Sequence, residues 1–143
     1  MIKTELLFLE IMKLYCLLAF GGVATMNDEK KAQLLKIYKK YNKVMSYVEN
    51  KYKLTMNDIA ILEIIQQNCQ QQNMLMQPFL KIATTELDLS RTKVLASIRR
   101  LINQDRVSKL RSTKDERKVY LSMTEENDRK YHTLLDEIET QVD

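Results

Sequence analysis

The sequence predicts a mainly helical fold carrying one small β-hairpin, on three observations. Glycine and proline are scarce, two and one in 143 residues, and because sheet-rich folds need many turn residues, long helices with few tight connections are expected. From Leu87 to Met123 the chain reads as a short turn, a helix studded with Arg and Lys, and two strands joined by the tip Arg111-Ser112-Thr113-Lys114-Asp115-Glu116-Arg117-Lys118. A long amphipathic stretch stands on each side of that segment. A helix followed at once by a charged hairpin is the layout of a winged helix, in which the helix enters a DNA groove and the hairpin grips the flanking backbone. A chain of this length forms one such domain with a real core and has little room for a second.

The first 25 residues stand apart. Leu14 to Phe20 is an apolar run and Gly22-Val23-Ala24 offers small residues of the kind a signal peptidase cuts after. Glu5 and Glu10 cancel Lys3 and Lys13, so the usual positive start of a signal peptide is lacking, and the run falls short of the roughly 20 residues that cross a bilayer. Composition changes abruptly at Met26-Asn27-Asp28-Glu29-Lys30. The favoured division is an N-terminal apolar extension, 1–25, read as a mis-assigned start, with a signal-like leader, a disordered stretch or an extra helix as the alternatives, and a DNA-binding and dimerisation domain at 26–143.

In that domain the first helix is expected over Lys30 to Lys51, where Leu34, Tyr38, Tyr41, Met45 and Val48 recur at steps of three and four and Ile37 and Val44 widen the stripe. Thr55 opens a second helix with a Thr-Met-Asn-Asp capping signal, and Ile59, Leu62, Ile64 and Ile65 lead toward Cys69. The glutamine-rich stretch Gln66 to Gln72 is a helix end and loop. Pro78 suits the first turn of a third helix ending near Leu87, since its ring presets φ and its missing donor is unneeded there. Ser90 caps a fourth helix with Val94, Leu95, Ile98, Leu101 and Ile102 as its buried stripe.

At about 100° per residue, Thr92, Lys93, Ala96, Arg100 and Asn103 lie opposite that stripe, with Ser97 and Arg99 at its borders. Four of the five can hydrogen-bond to DNA, and the small Ala96 permits close approach; Arg91 sits in the first turn, beside amides that favour a phosphate. Ser90, Arg91, Thr92, Lys93, Arg99, Arg100 and Asn103 are therefore the candidate recognition-helix contacts. Val119, Leu121 and Met123 alternate with Lys118, Tyr120 and Ser122 as a half-buried strand does, and Val107 to Arg111 is its partner. Lys109, Arg111, Lys114, Arg117 and Lys118 are the candidate wing contacts. Asp115, repelled by phosphate, is expected to hold Arg117 through a bidentate pair, with Glu116 beside it as a second orienting acid. After Thr124, a plausible N-cap, Glu125 and Glu126 suit a helix start, and Tyr131, Leu134, Leu135, Ile138 and Val142 continue an apolar stripe. Two such terminal helices predict a dimer, with Leu34, Tyr38, Tyr41, Met45, Leu134, Leu135 and Ile138 at its interface.

Charge is concentrated where this layout needs it. Ser90 to Lys118 holds ten basic residues against three acidic ones, +7, in a chain whose net charge is only +4, so the remainder sums to −3. A localised positive patch suits a polyanion, because each neutralised phosphate releases counterions. An acidic protein partner would suit the same face, and the fold does not decide between the two.

The Asp115-Glu116-Arg117 tip after Lys109-Leu110-Arg111, together with Leu89-Ser90-Arg91-Thr92-Lys93, resembles the SarA group of staphylococcal accessory regulators, within the MarR-type winged-helix family. The likeness runs from about Met26 to the C-terminus, and Lys51-Tyr52-Lys53-Leu54 with Asp88 to Lys93 brings it nearest to one member. It implies a homodimeric, cytoplasmic regulator of virulence, surface-protein or biofilm genes on double-stranded, A·T-rich promoter DNA. In that family the arginines matching Arg111 and Arg117 carry DNA binding and the acids matching Asp115 and Glu116 support function. Some members sense oxidation through a cysteine near the start of the first helix, but Asn27 to Ala32 contains none. Cys69 reads as a small apolar filler.

No enzyme is expected. His132 is the only histidine, no nucleophile sits in a recognisable motif, and both glycines, Gly21 and Gly22, lie in the leader, so there is no phosphate loop. No metal site, cofactor or membrane anchor is expected either; Cys16 and Cys69 make no ligand spacing. A small-molecule effector is known in the wider family; Tyr38, Tyr41 and Met45 read as core, so no ligand is assigned.

Overall fold

The computed structural model describes residue 11, residues 27–70 and residues 72–142. Apart from Ile11, expectations about the leader, Cys16 included, lie outside the described residues. The chain divides into two units, Met1–Val44 and Met45–Asp143, and helix α1 (Asp28–Tyr52) passes from one into the other. Asn27 opens α1, its Oδ1 accepting the Lys30 N–H at 2.9 Å, with Asp28 and Glu29 in the first turn where the helix dipole favours acids. In the first unit Leu34 is buried, whereas Leu35, Ile37 and Tyr38 are exposed.

The second unit holds the remaining elements: α2 (Met56–Cys69), β1 (Met74–Leu75), α3 (Met76–Leu87), α4 (Arg91–Asn103), β2 (Ser108–Arg111), β3 (Val119–Ser122) and α5 (Glu125–Val142). The strands form an antiparallel sheet in the order β1-β3-β2. Ser108 pairs with Ser122 and Arg111 with Val119 in the hairpin, and Met74 pairs with Leu121 at the other edge. This register turns Leu121 into the core and fits the expected alternation. Strand β1 has no counterpart in the sequence reading, because two residues are too short to show a period of two. Helix α4 packs against both α2 and α3, and Ile61, Leu62, Ile65, Phe79, Val94, Ile98 and Leu101 are each at most 1% exposed.

The helix starts follow local chemistry. Thr55 and Asp58 form a reciprocal capping box, Thr55 Oγ1 accepting the Asp58 N–H at 3.2 Å and Asp58 Oδ2 accepting the Thr55 N–H at 2.8 Å. Pro78 lies in the first turn of α3, as expected. The helix ends are less usual. With both glycines in the leader, the chain turns out of α1, α3 and α4 through Lys53, Asp88 and Asp105, at φ 56°, 50° and 55°. Asp88 and Asp105 sit in Schellman turns: the Leu89 N–H reaches the Thr84 carbonyl and the Arg106 N–H the Leu101 carbonyl, at 3.3 and 2.9 Å. A left-handed non-glycine costs roughly 1–2 kcal/mol, which the buried Leu89 and the following strand offset.

Asn127, 6% exposed, ties three segments together. Its Nδ2 donates to the Asp105 carbonyl at 2.8 Å, its Oδ1 accepts from the Ser108 hydroxyl at 2.9 Å and from the Thr124 N–H at 3.0 Å, and its own N–H reaches Thr124 Oγ1 at 3.1 Å. The turn after α4, the start of the hairpin and the start of α5 therefore share one amide. Asn127→Leu removes all of these part-buried hydrogen bonds at once, and because solvent and Lys130 can still reach some of the partners it is expected to lower stability by about 1–2 kcal/mol. In urea melts the midpoint should fall with an unchanged slope; a midpoint equal to the parent's would show that the network contributes nothing.

Candidate nucleic-acid interface

Helix α4, the candidate recognition helix, is positioned by its cap and by its packing. Ser90 Oγ accepts the Lys93 N–H at 3.3 Å and the Ser90 carbonyl accepts from Val94 at 3.1 Å. The buried residues of α4 are Val94, Ser97, Ile98 and Leu101, so the buried face is turned by roughly 50° from the expected one at 100° per residue. Leu95 and Ile102 are only half-buried. They floor a groove between α4 and the hairpin, of about 380 Å³, whose walls include Leu75, Pro78 and Val119 and whose rim carries Arg99, Lys109, Arg117 and Lys118. The exposed face of α4 consists of Arg91, Thr92, Lys93, Ala96, Arg99 and Asn103.

Arg100 does not belong to that face, and its assignment as a base-reading residue is corrected. Its Nη1 donates to both oxygens of Asp58, at 2.7 and 2.8 Å. Asp58 is fully buried, and the Arg100 side chain is 40% exposed. A carboxylate taken out of water needs a paired cation, and this one lies 42 residues away on the neighbouring helix. The ion pair fixes the start of α2 against α4. Arg106, one of the ten clustered cations, is likewise occupied: its guanidinium lies 5.2 Å from the Tyr52 ring centre and its Nε donates to Gln104 Oε1 at 3.1 Å. Burial pushes its pKa down.

The hairpin tip is ordered by side chains folding back on its own backbone. Ser112 Oγ accepts the N–H groups of Lys114 and Asp115, both at 3.3 Å, and Asp115 Oδ1 accepts the Arg117 N–H at 3.1 Å. These are the local turns that Ser and Asp make. The expected bidentate Asp115–Arg117 pair is therefore replaced by a backbone contact: Asp115 fixes where the Arg117 main chain runs and leaves its guanidinium outside. Glu116 acts through its carbonyl, which accepts from Arg111 Nη1 at 3.3 Å. Lys109, Arg111, Lys114, Arg117 and Lys118 are all exposed.

Of the expected dimer residues, Leu34 is 5% exposed and Leu134 1%. Tyr38 and Leu135 are exposed, and Tyr41, Met45 and Ile138 are half-buried. Leu35, at 50%, is an exposed apolar residue outside the expected set.

His132 lies on the surface of α5 with Nδ1 2.8 Å from the Asp128 carbonyl. Cys69 is buried, and burial pushes its thiol pKa up. Among the described residues no three His, Cys, Asp or Glu side chains group to hold a metal, and no helix is long and apolar enough to cross a membrane.

Residues 43–134 match the family model of the transcriptional regulator SarA/Rot. The chain is 48% identical over 114 residues to the HTH-type transcriptional regulator SarX of Staphylococcus aureus, covering 80% of this chain and 96% of that protein; SarX is the member that the Lys51–Leu54 and Asp88–Lys93 stretches resemble. Among solved structures, AbsC, a MarR family transcriptional regulator from Streptomyces coelicolor, superposes with a TM-score of 0.52 at 16% identity, covering 84% of this chain and 80% of AbsC. Overoxidized AbfR bound to DNA superposes with a TM-score of 0.54 at 15% identity, covering 92% and 82%. At such identities the superpositions establish the fold, and the named relatives are regulators rather than enzymes. With the capped helix α4, the basic hairpin and the sequence match in agreement, the chain belongs to the SarA/Rot family of transcriptional regulators, on the winged-helix fold of MarR-type proteins.

Proposed function

We propose that this regulator binds double-stranded DNA as a homodimer in the cytoplasm, preferring A·T-rich promoters, and controls virulence, surface-protein or biofilm genes. The observation that carries the reading is that Arg99 of α4 and Lys109, Arg117 and Lys118 of the wing rim one groove. A duplex lying there meets Thr92, Lys93 and Asn103 in its major groove, while Arg111 and Arg117 reach the adjacent minor groove, whose narrow A·T tracts attract guanidinium groups. AbfR was captured on DNA with this fold. Two copies set their recognition helices about one helical turn apart.

Charge supports the dimer. Helix α1 carries seven lysines against Asp28, Glu29 and Glu49, and α5 carries six acids against Arg129 and Lys130, so α1 of one copy and α5 of the other attract. The exposed Leu35, Ile37, Tyr38 and Leu135 supply apolar area for that contact.

Fluorescence anisotropy on A·T-rich and G·C-rich duplexes across a salt series tests the reading. Tighter binding to the A·T-rich duplex, with affinity falling linearly in log–log coordinates as salt rises, is the expected result. Failure of the folded protein to bind either duplex at low salt would sink it and turn the basic face toward an acidic protein partner.

A further inference from the structure

A second cavity, of about 430 Å³, opens where the end of α1, the turn after α4 and the outer side of α5 meet, and it shares no residue with the groove described above. Its walls carry four cations, Lys51, Arg106, Arg129 and Lys130, against the carboxylates Glu126 and Glu137. Lys51 and Glu137 neutralise each other at 3.0 Å, which leaves three cations facing one acid. The DNA-binding reading uses none of them.

Two groups in this wall lack the partners their chemistry calls for. Arg106 is partly desolvated, yet its one hydrogen-bonded side-chain contact is the neutral Gln104, with the Tyr52 ring beneath it. The Tyr52 hydroxyl is buried with no hydrogen-bond partner among the described residues. Buried donors are nearly always satisfied by protein, water or ligand, and a desolvated guanidinium is stabilised best by a planar pair of anionic oxygens.

We propose that this cavity is a binding site for a small phosphate monoester, whose dianionic head meets Arg106, Arg129 and Lys130 and whose organic body lies beside Tyr52 and Thr133. The net charge of +2 over the wall matches a dianion, and the Arg106 fork presents the paired donors that a phosphate accepts from. Gln104 and Arg106 form the turn that ends the recognition helix, so an occupied site orders that turn. This regulatory consequence rests on the DNA reading; the binding site itself does not.

The test therefore contains no DNA. Thermal melts of the full chain are recorded with phenyl phosphate, inorganic phosphate or benzoate, each against sodium chloride of equal ionic strength. Phenyl phosphate at about ten times its dissociation constant is expected to raise the Tm by about 4 °C, with inorganic phosphate giving a smaller rise and benzoate the least. Arg106→Gln should abolish the rise, and Arg129→Gln, which changes an exposed side chain on α5, should weaken binding several-fold without a folding defect. Arg117→Ala should retain it in full. No rise with phenyl phosphate, a rise undiminished in Arg129→Gln, or a benzoate effect equal to that of phenyl phosphate overturns the assignment.

Discussion

Arg100→Ala is expected to lower the stability of the protein by about 3 kcal/mol and its Tm by about 10 °C, whether or not DNA is present. The loss comes from Asp58. Its carboxylate is fully buried, also caps α2 through the Thr55 N–H at 2.8 Å, and keeps no cationic partner once Arg100 is gone. The guanidinium retains 40% exposure, so solvent screens part of the attraction and the lower end of the range for buried pairs applies. In an Asp58→Asn background the same change should cost less than half as much, because asparagine still caps the helix but leaves no stranded charge. A chemical-denaturation cycle over the four proteins measures the difference. Should Arg100→Ala melt with the parent and lose only DNA affinity, Arg100 would return to the base-reading face.

Arg117→Ala should have the opposite signature, with an unchanged melt and weaker DNA binding. Its guanidinium stands on the rim of the groove between α4 and the wing, and among the described residues only its backbone N–H is engaged, by Asp115. Removing one cation from the DNA contact is expected to reduce affinity about tenfold near physiological salt and, through the counterions it no longer displaces, to flatten the salt slope by about one unit. Asp115→Ala leaves the charge in place and frees the Arg117 main chain, so it should weaken binding while keeping the slope of the parent. An Arg117→Ala protein with parental affinity and slope would remove the wing from the interface.

Arg100 and Arg117 show where the sequence was legible. Both sit in the basic run from Ser90 to Lys118, and composition treats them alike. For Arg117 the local pattern sufficed: a charged tip between two alternating strands has nowhere to be buried. For Arg100, helical geometry at 100° per residue pointed outward, and the pointing failed because the carboxylate that captures it lies on α2. The same limit applies at Asn127. The Thr124 cap was legible, but an amide three residues on, in place of the usual Glu or Gln, gave no sign that it would also hold Asp105 and Ser108.

By itself the sequence determined the order of the helices and of the hairpin strands, though not β1, together with the caps at Thr55, Ser90 and Thr124, the concentration of positive charge on one helix and one hairpin, and membership in the regulator family. Each depends on residues within a few positions of one another, through helical or strand period, capping chemistry and turn propensity. Only the tertiary structure decided which cations remain for a polyanion. It withdrew Arg100 to Asp58 and Arg106 to Tyr52 and Gln104, buried Leu34 and Leu134, and turned Leu95 and Ile102 into the floor of a groove. The reason is that burying a charge or an apolar side chain is settled by partners distant in the chain, and nothing in the local pattern marks where they lie.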